Sequence, residues 1–115
     1  MSNLNEQINS AFKILNDLFK ILNDFKPNDF GGFGCTKSLA NGFEISIQCG
    51  MHNYCTPREN LNSPSEYSTF EVAVFNADED WVTPDFFEDC GNDQVKGWTT
   101  MEEILVAIEC IQQQK

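Results

Sequence analysis

Residues 41–49 read NGFEISIQC. The Asn-Gly pair is the strongest short-range hairpin signal, because both residues tolerate positive φ. After it, Phe43, Ile45, Ile47 and Cys49 alternate with Glu44, Ser46 and Gln48. That is the period of a strand buried on one face. A two-residue turn pairs Ala40 with Phe43, Ser38 with Ile45 and Thr36 with Ile47, so the spacing predicts a hairpin over 33–49. Small residues opposite large ones leave room there for a helix. A further strand, YSTFEVAVF at 67–75, carries Phe70, Val72 and Val74 on one face. Tyr67, Ala73 and Phe75 line its other face, which places it centrally in a sheet.

The flanks read as helices. FKILNDL at 12–18 is repeated as FKILNDF at 19–25, and seven residues are two helical turns, so both copies present the same face. Leu4, Ile8, Ala11, Leu15, Leu18, Leu22 and Phe25 form one stripe, broadened by Phe12 and Phe19 on one side and by Ile14 and Ile21 on the other. Asn3 with Glu6 resembles a capping box, and Pro27 ends the helix, giving a heptad-repeat helix over 1–26. It either packs into its own core or pairs with a second copy through Leu15, Leu18 and Leu22. At the other end, Thr99 with Glu102 reads as a capping box. It opens a helix over 99–114, in which Met101, Ile104, Leu105, Ile108 and Ile111 recur at helical spacing.

Between these elements, PNDFGGFG (27–34) reads as a turn anchored by two Phe. It has neither the following helix nor the Lys of a phosphate cradle. Residues 50–66 form a loop whose length marks it as mobile or functional. Trp81-Val82 starts a short strand, Thr83-Pro84-Asp85 reads as the start of a helical turn with Thr83 as its N-cap, and Val95–Trp98 is an edge strand. Segment 67–98 thus joins the central strand to an acidic-aromatic stretch. The order predicts one α+β domain spanning 1–115. Its antiparallel sheet of about four strands is flanked by a long N-terminal and a C-terminal helix.

Composition bounds the function. The 115 residues are 41% hydrophobic and 12% aromatic, which fits a packed core. The net charge of −11 disfavours direct contact with nucleic acid or an anionic membrane, since both need clustered Lys and Arg. The N-terminus lacks the basic start and apolar run of a signal peptide, and no apolar run approaches the ~18 residues of a membrane span. A cytoplasmic location is expected, with the whole chain mature and its five Cys reduced. There is no catalytic signature, so no enzymatic activity and no cofactor are expected.

The charge is lopsided. Residues 1–65 carry six acids and five bases, and residues 66–115 carry twelve acids and two bases. The peak, DEDWVTPDFFEDCGND at 78–93, holds Asp78, Glu79, Asp80, Asp85, Glu88, Asp89 and Asp93 without a base. Clustered carboxylates speed association with a positive cleft. Aromatics inside a charged ring have the anatomy of an interface hot spot, with Trp81 as the apolar anchor. The expected partner is a basic protein with a nucleic-acid-binding cleft, blocked by occupancy.

In size, acidity, its 12 Asn and the stretch 76–98, the chain resembles the small acidic inhibitors that phages encode against host defence, including anti-CRISPR proteins and DNA mimics. It is also similar to the acidic immunity proteins that neutralise nuclease toxins. The resemblance implies inhibition without chemistry, in the host cytoplasm if the chain is phage-encoded. Two metal sites deserve comparison with it. Cys49, His52 and Cys55 are zinc-type ligands without the usual C-x2-C knuckle. Asn76, Asp78 and Asp80 match the start of a calcium loop, which then fails at Trp81 and Phe87. No metal is therefore expected.

Overall fold

The computed structural model describes residues 4–90 and 94–114, the side chains of residues 10 and 14 excepted. The elements in chain order are α1 (Leu4–Asp24), β1 (Lys26–Pro27), β2 (Phe33–Ser38), β3 (Glu44–Cys49), β4 (Phe70–Phe75), β5 (Lys96–Thr99) and α2 (Met101–Gln112). The strands form one sheet in the order β1-β2-β3-β4-β5, antiparallel throughout. This is an α+β domain built on a meander. Its fifth strand is the two-residue edge Lys26–Pro27, where proline's missing N–H costs nothing.

The alternation in β3 and β4 produces a two-faced sheet. Ile45 pairs with Val74 and Ile47 with Val72, all four fully buried. They join Cys35, Cys49 and Phe70 against Ile21 and Phe25 of α1 and Ile104, Ala107 and Ile111 of α2. Phe25 meets Phe70 with ring centres 5.6 Å apart. Both helices therefore pack on this one face. The opposite face presents Thr36, Ser38, Glu44, Ser46, Gln48 and Glu71, with Ala73 and Phe75 among them.

The hairpin register departs from the one expected. Ile47 faces Cys35, Ile45 faces Lys37 and Glu44 faces Ser38, so a five-residue loop replaces the two-residue turn. A slip of one residue exchanges faces, and it brings Phe33 and Cys35 to the core in place of Thr36 and Ser38. The cause is Asn41. Its amide donates to the Ile111 carbonyl at 2.8 Å and to that of Gln114 at 3.1 Å, capping the end of α2, while its oxygen accepts from Phe43 N–H at 3.3 Å. Gly42 takes the positive φ of +89°.

Other boundaries shift for equally local reasons. Strand β4 begins at Phe70, three residues after Tyr67. Thr99 is fully buried in β5, so the capping box moves one residue on. Thr100 Oγ1 accepts from Glu103 N–H at 3.2 Å, and the Glu103 carboxylate accepts from Thr100 N–H at 3.2 Å. Val82, not Thr83, caps the 3-10 turn Thr83–Asp85. The expected cap Asn3 lies outside the described residues.

The 50–66 loop is pinned. Tyr67 Oη donates to the Glu59 carbonyl at 2.6 Å and accepts from Leu61 N–H at 2.9 Å. Asn60 bridges Met51 N–H and the Phe30 carbonyl. Ser63 and Glu66 form a capping box of their own. In the Gly-rich loop only Phe33 anchors to the core. Phe30 is exposed and lies edge-on to His52, with ring centres 5.5 Å apart.

Candidate protein-binding surface

The acidic turn is built around Asn76. Its side-chain oxygen accepts from Asp78 N–H at 2.9 Å and from Asp80 N–H at 3.0 Å, and its backbone closes onto the Asp80 carbonyl at 3.0 Å. This Asx turn places Glu79 at φ +66°. The Asn76 oxygen is thus taken by backbone donors, while its amide donates to the Asp80 carboxylate at 3.4 Å. Asp78, Glu79 and Asp80 are exposed, and among the described residues none of them is ion-paired.

Trp81 follows directly. It bridges to Phe75 at the sheet edge and stands edge-on to its ring, centres 4.6 Å apart. Its indole remains 48% exposed. A cleft of about 350 Å3 beside Phe75 is lined by Glu44 and Glu79 as well. Glu44 belongs to the near-neutral half of the chain. Only strand pairing, Glu44 opposite Phe75, brings it into the acidic rim.

Beyond Trp81 the chain passes to the helix side. Phe86 packs on Phe43, ring centres 6.1 Å apart, and Phe87 is buried in the core. These two are core residues, and they divide the acids. Glu88 and Asp89 flank an open cleft of about 550 Å3 together with Glu102, Glu103 and Lys96. The structure therefore brings Asp78, Glu79, Asp80 and Trp81 together on one turn and sets Glu88 and Asp89 beside α2. Asp85 is exposed between them along the chain. Asp93 lies outside the described residues.

In a second aromatic pair Trp98 closes the acidic-aromatic stretch 76–98, whereas its partner Tyr54 escaped the sequence reading. Trp98 sits at φ +51°, a left-handed conformation costing a non-glycine residue about 1 kcal/mol. It occurs at the bulge where β5 slips between Phe70 and Val72. The exposed indole lies 5.3 Å from Tyr54, ring centre to centre, and Trp98 N–H donates to the Tyr54 carbonyl at 2.9 Å. Tyr54 N–H in turn donates to Glu71 on the open face at 2.9 Å, and Arg58 covers its ring at 4.9 Å. The one sequence signal was a Gly-Trp pair at the end of an edge strand, where a bulge exposes a large residue. The two ends of β4 thus each carry an exposed tryptophan.

The cysteines form no ligand set. Cys49 is fully buried, and burial pushes its thiol up to about 12. Burial raises the Cys35 and Cys55 thiols as well. Cys55 Sγ donates to the Gly50 carbonyl at 3.3 Å, whereas His52 is exposed beside Phe30. Among the described residues, no three His, Cys, Asp or Glu side chains converge as metal ligands.

The fold and this surface define an α+β meander with both helices on one sheet face and an exposed tryptophan near each end of β4, the one at Trp81 rimmed by acids. Compared with protein-family models, curated proteins and solved structures, the chain matches none. No described helix is long and apolar enough to cross a membrane.

Proposed function

We propose that the chain is a non-enzymatic acidic inhibitor. It docks the turn 76–81 onto a basic, nucleic-acid-handling protein, such as a CRISPR effector or a nuclease, and occupies its cleft. The observation that carries this reading is Trp81. A half-exposed indole is seated on Phe75 and flanked by three carboxylates that make no ion pair among the described residues, on a turn held by four hydrogen bonds. A rigid aromatic anchor loses little entropy on binding, and the surrounding carboxylates steer a cationic surface toward it. Glu44 extends the negative rim, and the cleft between Glu88 and Glu102 gives a second, weaker contact region.

The test is displacement of a fluorescent DNA duplex from purified CRISPR effectors and nucleases. The wild-type chain should release duplex at low salt and progressively less as salt rises. The triple variant Asp78→Lys, Glu79→Lys, Asp80→Lys should release none while keeping its circular dichroism spectrum. Equal displacement by the triple variant, or none by the wild type across the panel, sinks the reading.

A further inference from the structure

Helix α1 carries apolar surface that its own fold leaves uncovered. Its described side chains are exposed from Leu4 to Asn16, and the first buried one is Ile21. Leu18 and Leu22 are half-buried. Leu4, Ile8, Phe12, Leu15 and Phe19 are between 42% and 69% exposed. At 100° per residue these five fall within an arc roughly 80° wide. The five charged residues of α1, Glu6, Lys13, Asp17, Lys20 and Asp24, fall on the opposite side of the helix. Contiguous exposed apolar surface of this kind marks an interaction site.

The geometry points to a second copy of this chain as the occupant: we propose that two α1 helices pair antiparallel about a two-fold axis passing between residues 11 and 12. Three observations select that partner. The pattern is its own complement, since the axis sets Leu4 opposite Phe19, Ile8 opposite Leu15 and exposed Ala11 opposite Phe12. Self-matching of this kind is what an isologous interface requires. The charge distribution permits the approach. A chain of net charge −11 keeps only three acids and two lysines on α1, all facing away from the stripe. The sheet packs on the C-terminal part of α1, so antiparallel pairing holds the two acidic bodies at opposite ends of the seam.

The area is sufficient. The five side chains leave roughly 500 Å2 uncovered per copy, about 1,000 Å2 in a pair, the lower bound of a specific interface. The seam is shifted from the one expected. It keeps Leu15 but replaces Leu18 and Leu22 with Leu4, Ile8, Phe12 and Phe19, because the fold already half-buries Leu18 and Leu22.

Sedimentation equilibrium of the full chain tests this. We expect a dimer at about 100 µM, and a Phe12→Asp variant whose association is weakened at least tenfold. Phe12 is exposed, so that variant should keep the wild-type circular dichroism and, at concentrations where both are monomeric, the wild-type melting temperature. Leu4→Lys and Phe19→Glu should each weaken pairing, and the two combined should restore it, because residue 4 meets residue 19 of the other copy. Rising salt should strengthen pairing by screening the net charge, the reverse of its effect on docking through the acidic turn. A monomer at about 200 µM, or a dimer indifferent to Phe12→Asp, overturns the proposal. A double variant weaker than both singles overturns the antiparallel arrangement.

Discussion

Thr83 Oγ1 accepts the backbone N–H of Val74 at 2.9 Å, and both residues are fully buried. Val82 N–H donates to the Val74 carbonyl at 2.8 Å. Strand β5 reaches only as far as Val72, so residues 82–83 complete the edge of β4 where no strand does. The acidic turn is thereby tethered at both ends, to β4 on one side and to this pair on the other.

Replacing Thr83 with Val keeps the shape and removes the acceptor, leaving a buried N–H unsatisfied. The expected loss is about 1–3 kcal/mol. It should appear as a lower urea midpoint with an unchanged m-value. Thr83→Ser should retain most of the stability.

Asn41→Ala removes the amide that caps the Ile111 and Gln114 carbonyls. A cost of about 1 kcal/mol is expected, read from thermal unfolding. Hydrogen exchange should increase in the last turn of α2 and leave β3 and β4 protected.

Self-repulsion from the net charge of −11 opposes folding. Raising sodium chloride from about 20 mM to about 500 mM shortens the screening length to a few ångströms. The melting temperature should therefore rise. A fall would mean that the three exposed ion pairs formed by Lys13 and Lys37 outweigh the repulsion.

The carboxylates around Trp81 should select among fluorescence quenchers. In a Trp98→Phe variant, caesium should quench Trp81 more strongly than iodide does. Charge reversal at Asp78, Glu79 and Asp80 should invert that order. An unchanged caesium-to-iodide ratio would show that these acids do not set the potential at the indole.

Burial raises the Cys35, Cys49 and Cys55 thiols in the folded state, with Cys49 reaching about 12. A thiol in the unfolded chain ionises near its ordinary value, so above that value the unfolded state binds fewer protons than the folded one. Stability is then fully present below about pH 8.5 and falls as pH rises toward 12. Unfolding midpoints measured between pH 7 and pH 11 should decline. At pH 8 a thiol reagent should label exposed Cys110 first and Cys49 only on unfolding.

Much of the fold is written locally. The alternation Phe43 to Cys49 and Phe70 to Phe75 states which face is buried, and the repeated heptad and the run Met101 to Ile111 state two helices. Burial of one face is a property of spacing, and spacing is visible in any stretch of chain. What local reading misses is each choice settled by a distant partner. The hairpin register depends on carbonyls 70 and 73 residues away from Asn41. The capping box moves because Thr99 is taken into β5. The candidate site shows the same division: the turn at Asp78–Trp81 is legible as an acidic-aromatic cluster, whereas Glu44 joins the surface through strand pairing and Tyr54 through its hydrogen bonds to Trp98 and Glu71.

Composition and periodicity were enough to state an acidic α+β domain with a two-faced sheet, because charge and hydrophobic period are sums over neighbours along the chain. Tertiary packing divided the clustered acids among the described residues, setting Asp78, Glu79 and Asp80 apart from Glu88 and Asp89, since Phe86 and Phe87 turn inward between them. It also gave two nearly identical heptads different fates. A sheet covers only one arc of a helix, and it reaches only the C-terminal part of α1, so Leu22 is half-buried while Leu15, its equivalent one heptad earlier, stays in solvent.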